Sequence, residues 1–229
     1  MNLKKEEWNV SYKNKDNFVF YPHEEIIRFS AKYIAKRVGL EHVDYIASQN
    51  CKVLDLGCGI GRHIVFFEKL GINTYGVDLS QEAVTVAKQW LEKENLNSED
   101  KIFCGSAEEL PWRDDEFSFI VSHGVLDSMP FEIARNIIEE CHRIIKEDGL
   151  FYCDLIGDET KFDVDFEEEV VVESIHEKGT IQSYFTLNKI ENLIENLFEI
   201  KEIKKIISKN VATDTYISRY HMVLKKSRC

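Results

Sequence analysis

The stretch Cys51-Lys-Val-Leu-Asp55-Leu-Gly57-Cys-Gly59-Ile-Gly61 decides how this chain of 229 residues is read. It opens as a short apolar run and breaks into three glycines at alternate positions, and residues 60–70 then read as a helix. A buried strand that enters a helix through a glycine turn is the first half of a β-α-β unit. Glycines there let the backbone turn tightly. They also let a ligand approach the free N–H groups at the helix start, where an anion is favoured.

Outward from this turn, strand and helix keep alternating. Thr74-Tyr-Gly-Val-Asp78 is a second strand, followed by a helix over 80–93 with Ser80 as its N-cap. Residues 101–104 and 117–121 read as the third and fourth strands, and 150–156 as the fifth. Between the last two, 131–145 is amphipathic, with Ile133, Ile137, Ile138, Cys141, Ile144 and Ile145 on one face. Short strands buried on both faces and separated by helices imply an α/β fold with a doubly wound, mostly parallel sheet. The tail differs: a helix over 187–197, then extended runs at 199–208 and 215–224, give an antiparallel C-terminal hairpin and a total of seven strands. Two further runs, 170–175 and 180–185 around His176-Glu-Lys-Gly179, read as an inserted β-hairpin, and 24–38 as an N-terminal helical lid. The expected organisation is one domain over 1–229. It comprises a lid segment (1–49), a nucleoside-binding core (50–158), an inserted acidic loop and hairpin (159–186), and a C-terminal helix and hairpin (187–229) that complete the sheet.

Composition narrows the partners. With 29 Lys+Arg against 41 Asp+Glu the net charge is −12, which argues against nucleic acid, whose phosphates need a basic face. Most of the surplus lies in residues 51–158, with 21 acids against 10 bases. The run 158–169 gathers Asp158, Glu159, Asp163, Asp165, Glu167, Glu168 and Glu169, the first of them already counted, around the single base Lys161. Such a run is a solvated face, or a filter that attracts a cationic amine and repels phosphates. The six cysteines show no CxxC pair, so no metal site and no disulfide framework are expected. No segment approaches the ~18 uninterrupted apolar residues of a membrane span. No apolar run follows the charged start, so no signal peptide is visible and a cytoplasmic protein is expected.

The ligand can be narrowed further. Asp78 ends the second strand, where a carboxylate can accept both hydroxyls of a ribose. A dinucleotide fingerprint, GxGxxG, would need glycine at position 62, where Arg62 stands. Asp55 would also repel a pyrophosphate on the turn. An acid two residues before the first glycine suits a ligand with an ammonium group as well as a carboxylate, that is, an amino-acid nucleoside.

At these residues the chain resembles the class I S-adenosylmethionine-dependent methyltransferases. Val53-Leu-Asp-Leu-Gly-Cys-Gly-Ile-Gly-Arg-His63 resembles their glycine-rich motif and Tyr75-Gly-Val-Asp-Leu-Ser80 their acidic loop. Gly105-Ser-Ala-Glu-Glu-Leu-Pro-Trp112 resembles the adenine-side loop, 117–129 the strand-four motif, and 140–156 the helix and strand that follow. The resemblance implies S-adenosylmethionine as cofactor. Gly57, Cys58 and Gly59 would line its methionine end with support from Asp55, and Asp78 would hold the ribose. Leu79 would lie against the adenine, Ser106, Ala107 and Glu108 would close around it, and the Ser122 backbone would sit near the methionyl group. Two departures stand out: Ser106 replaces the usual Asp, and Lys146-Glu-Asp-Gly149 replaces Lys-Pro-Gly-Gly.

In this fold the segment Ser122-His-Gly-Val-Leu-Asp-Ser-Met129 lies near the transferred methyl, so His123 and Asp127 are the candidate general bases. Arg62 and His63 read as packing or capping residues. Tyr12, Tyr21 and His23 precede the lid helix within reach of the pocket, and Asp154 ends the fifth strand on the ligand edge. The expected activity is methyl transfer to a small molecule, favouring a hydroxyl on a sugar or related metabolite. Transfer to a small amine, or a catalytically silent S-adenosylmethionine-binding regulator, are the alternatives. The sequence leaves the oligomeric state open.

Overall fold

The computed structural model describes residues 2–161, 168–173 and 178–227. In chain order the elements are α1 (Asn2–Lys13), α2 (Glu24–Tyr33), β1 (Ala35–Arg37), β2 (Val43–Tyr45), β3 (Lys52–Leu56), α3 (Arg62–Glu68), β4 (Asn73–Asp78), α4 (Gln81–Lys93) and β5 (Ile102–Cys104). They continue with β6 (Phe117–Ser122), α5 (Phe131–Ile144), β7 (Ile145–Ile156), β8 (Glu169–Val171), β9 (Ile181–Ser183), α6 (Leu187–Ile194), β10 (Phe198–Asn210) and β11 (Thr215–Lys226).

Seven strands form the central sheet in the order β10-β11-β7-β6-β3-β4-β5. β3 to β7 run parallel, and β11 and β10 close one edge antiparallel. The order reverses at β3, which pairs with both β4 and β6. Such a reversal opens a crevice beyond the C-terminal ends of the strands. Register brings those ends level, Leu56 opposite Val77 and Ser122, and Asp78 opposite Cys104.

Side chains alternate between the two faces of each strand. On one face Leu54, Leu56, Ile120, Phe151, Cys153 and Leu155 pack under α5 and α6. The α5 stripe read from the sequence buries Ile137, Ile138, Cys141 and Ile144 there. On the other face Val53, Phe119, Val121, Leu150 and Tyr152 pack under Ile26 and Phe29 of α2 and Phe67 of α3. Asp55 shares parity with Val53, and Asp154 with Tyr152, so both acids lie on the α2 side. Ser80 caps α4 as expected, its Oγ accepting from Ala83 N at 3.3 Å.

Two expectations are corrected and one helix is added. The lid helix stops at Tyr33 instead of reaching 38, because Ala35–Arg37 turns into an antiparallel pair with Val43–Tyr45. A further helix, unassigned from the sequence, spans Asn2–Lys13 and precedes it. The inserted hairpin pairs Glu169–Val171 with Ile181–Ser183, so its first strand begins at Glu169 and its second is shorter than 180–185. Its turn, 174–177, and acids 163, 165 and 167 of the charged run lie outside the described residues. Among the described residues, no helix is long and apolar enough to cross a membrane, no cluster of side chains could hold a metal, and the five described cysteines are free.

Candidate active site

A cavity of about 490 Å³ opens at the C-terminal ends of β3, β4 and β6. Its floor is the glycine turn. Gly57 and Gly59 have φ of +68° and +53°, which side-chain-bearing residues rarely adopt. A Cβ on Gly57 would also meet Val125 at 2.4 Å, and one on Gly59 would meet the Tyr12 hydroxyl at 2.6 Å. The turn folds over Asp78, whose Oδ2 accepts from Gly59 N at 2.8 Å while Oδ1 accepts from Ser80 N at 2.9 Å. Burial pushes Asp78 up to about 6, against the pull of those two N–H groups. Each of its oxygens keeps a lone pair for a further donor.

Gly57, Cys58, Gly59, Asp78 and Leu79 all line the cavity, and so do Ser106, Ala107 and Glu108 from the loop after β5. Ser106 Oγ accepts from Glu108 N at 3.2 Å, and Glu108 Oε1 accepts from Asn136 Nδ2 at 3.1 Å, so a carboxylate stands beside the missing aspartate. Asp55 and Ser122 are not wall residues. Both are 1% exposed. Ser122 pairs with Leu56 at the end of β6, and Asp55 sits under α3, its Oδ1 bonded to His63 Nδ1 at 3.2 Å. The other oxygen of Asp55 is buried without a partner among the described residues.

His123 and Asp127 also line the cavity, in different states. His123 Nδ1 lies 2.5 Å from Asp154 Oδ2. Asp154 Oδ1 accepts from Gly124 N at 2.9 Å, and Arg219 Nη1 reaches Oδ2 at 3.0 Å. Burial alone would raise Asp154; the His123 hydrogen bond and the Arg219 charge outweigh it and hold the carboxyl well below the usual range. An ionised carboxylate only accepts, so His123 donates from Nδ1, and the neutral ring then carries its lone pair on Nε2. Asp127, by contrast, is 1% exposed, and its Oδ2 is occupied by Arg219 Nη1 at 2.9 Å and Ile156 N at 3.0 Å. It braces Arg219 and the end of β7.

The cover comes from elements the sequence left faint. Trp8 and Tyr12, one turn apart on α1, line the cavity, as do Asn17 and Val19. Asn9 Oδ1 accepts from Ser80 Oγ at 2.8 Å, fixing α1 on the start of α4. The inserted hairpin contributes Gln182 and docks on the other rim through Ser183 N to Asp127 O at 2.7 Å. Of the aromatic and imidazole residues flagged ahead of α2, Tyr12 reaches the cavity. Tyr21 is 80% exposed and does not. His23 lies behind the wall, its ring stacked on that of His123 at 3.7 Å. Arg219, on the antiparallel strand β11, has no local signal in the sequence.

The family model described as "Methyltransferase domain" matches residues 54–153. These residues form a class I methyltransferase domain. The domain is 31% identical over 100 residues to the uncharacterized methyltransferase YcgJ of Bacillus subtilis (44% of this chain, 38% of that protein). It is 33% identical over 118 residues to the ubiquinone biosynthesis O-methyltransferase of Glaesserella parasuis (46% of this chain, 45% of that protein). The chain thus aligns with less than half the length of these curated relatives. In fold, it superposes on the crystal structure of an S-adenosylmethionine-dependent methyltransferase from Methanosarcina mazei with a TM-score of 0.66, at 21% identity, over 79% of this chain and 94% of that one.

S-adenosylmethionine is the cofactor this domain family uses, and the residues present fit it. Asp78 offers ribose acceptors at the edge of the cavity, and Gly57 and Gly59, both at positive φ, bring bare backbone to the same wall. The orphaned oxygen of Asp55, two residues before Gly57, is a buried acceptor without a donor among the described residues, and the ammonium of a methionine is a donor of the kind it lacks.

Proposed function

We propose that this chain transfers a methyl group from S-adenosylmethionine to the hydroxyl of a small molecule in the cytoplasm. The observation that carries the reading is the 2.5 Å contact between His123 and Asp154 in the wall of the cavity opened by the glycine turn. S-adenosylmethionine, when bound, supplies a methyl already activated by its sulfonium. The work left to the protein is to hold the acceptor in line and remove its proton. A hydroxyl loses a proton as it attacks, and His123 Nε2 takes it. Asp154 then faces the imidazolium and stabilises it, while Arg219 keeps that carboxylate in place. Asp127 is a positioning residue that anchors Arg219. The acid surplus and the absence of a basic motif support a small acceptor over nucleic acid.

The relative from Glaesserella parasuis, named an O-methyltransferase, agrees with a hydroxyl. Transfer to a small amine is the second reading, favoured by the acid-rich run 158–169 that leads into the inserted hairpin. An amine that arrives deprotonated has no use for the His123–Asp154 pair. The test measures S-adenosylhomocysteine release with 3,4-dihydroxybenzoate, methyl glucoside and benzylamine as probes. The expected result is turnover of a hydroxyl probe, lowered at least about a hundredfold by His123→Ala and by Asp154→Asn, with S-adenosylmethionine affinity kept within about twofold. Turnover of the amine alone, undiminished in His123→Ala, overturns the hydroxyl reading.

A further inference from the structure

His23 does two jobs that its chemistry keeps separate. Its Nδ1 accepts from Glu25 N at 3.3 Å and caps α2, so the His23 proton is on Nε2. Its ring lies nearly parallel to that of His123, with centroids 3.7 Å apart and planes 24° from each other. A second tie runs through the backbone. His63 gives its Nδ1 proton to Asp55 at 3.2 Å, and its bare Nε2 accepts from His23 N at 3.3 Å. The glycine turn, through Asp55 and His63, therefore fixes where the His23 ring stands, and that ring covers one face of His123.

We propose that His23 is a positioning residue for the base: its ring holds the His123 imidazole against Asp154, with Nε2 available to the acceptor. The proposal rests on the reading of His123 as the base. A neutral neighbour suits this place, because a cation stacked on the base would oppose its taking a proton. Burial, then the adjacent His123, push His23 down to about 3, so it stays uncharged. Around the stack, Asp154 meets the edge of His123 and is itself held by Arg219, Arg62 acts on His23 through its charge, His221 lies 5.9 Å from His23, and His63 lies 6.3 Å from His123.

Two substitutions separate the jobs. His23→Asn keeps a side-chain acceptor for the α2 cap and removes the ring. His23→Phe keeps a ring and removes the acceptor. The backbone bond to His63 survives both. The probe is the His123 ring itself, followed in long-range ¹H–¹⁵N spectra of ¹⁵N-histidine-labelled protein at pH 8 and assigned with His123→Gln. The parent protein should show one tautomer, protonated at Nδ1. His23→Asn should melt within about 2 °C of the parent and give nitrogen shifts averaged between the two tautomers. His23→Phe should melt lower and restore the parent pattern. A parent-like pattern in His23→Asn, or an averaged one in His23→Phe, overturns the proposal and leaves His23 as a helix cap. If the parent shows His123 protonated at Nε2, the base reading fails instead, and the two failures are distinct.

Discussion

Asp78 ends β4 with each carboxylate oxygen already holding one backbone N–H, from Gly59 and Ser80. Ribose hydroxyls would add donors to the ionised form, and burial has pushed that ionisation up to about 6. The sign of the pH effect follows. Below 6 the free protein holds a proton on Asp78 that the ligand must displace, so affinity for S-adenosylmethionine rises with pH through 6 and levels off above about 7. At pH 5 the site is about one-tenth ionised, so calorimetry at pH 5 and pH 7.5 should differ by about tenfold; equal affinities would remove the carboxylate from the ribose role. This residue was legible because its strand end and the glycine turn that meets it belong to one β-α-β unit, 19 positions apart. The partner of His123 was not legible. Asp154 is 31 positions away and Arg219 a further 65, and only the placement of β11 beside β7 brings them together. Sequence spacing therefore reads Asp127 and His123 as equivalent bases; in the structure Asp127 Oδ2 is taken by Arg219 and Ile156 N, while His123 turns its Nδ1 to Asp154.

At the scale of elements, α5 shows where a strong pattern reads through. Its apolar stripe buries Ile137, Ile138, Cys141 and Ile144 against β6 and β7. Ile138 is wholly buried, so Ile138→Ala should cost about 2–5 kcal/mol in denaturant unfolding, with little change in cofactor affinity. A cost near zero would mean that the α5 face is loosely packed. The lid shows the opposite case. Apolar spacing in α2 continues past Tyr33 to Val38, but Ser30 Oγ donates to Ala35 O at 2.8 Å, and 35–37 pair with β2 instead. A tertiary pairing overrides a local period there. α1 is polar along its length, and its two informative side chains, Trp8 and Tyr12, are bound to the cavity they cover and not to a core stripe. Helices whose apolar face is a ligand wall give a weak periodic signal.

Across the whole molecule, the acid surplus has a working edge. Asp55, Asp78, Asp127 and Asp154 all stand at the C-terminal ends of the parallel strands or in the loops that follow them, and three of them are 1% exposed. Buried carboxylates persist only where donors or counter-charges meet them. Asp127 and Asp154 share Arg219, Asp78 takes two backbone N–H groups, and Asp55 has one oxygen on His63 and one unmet. The seven-stranded sheet delivers these four groups to one rim, and α1 with the inserted hairpin covers it. The arrangement fits a cationic, ribose-bearing methyl donor. Calorimetric titration of the protein with S-adenosylmethionine at pH 7.5, beside NAD and the Asp78→Ala variant, tests this most directly. The expected result is one site for S-adenosylmethionine, weakened at least about tenfold (about 1.4 kcal/mol) by Asp78→Ala, and no binding of NAD. Binding of NAD without S-adenosylmethionine, or an Asp78→Ala affinity equal to that of the parent, would contradict it.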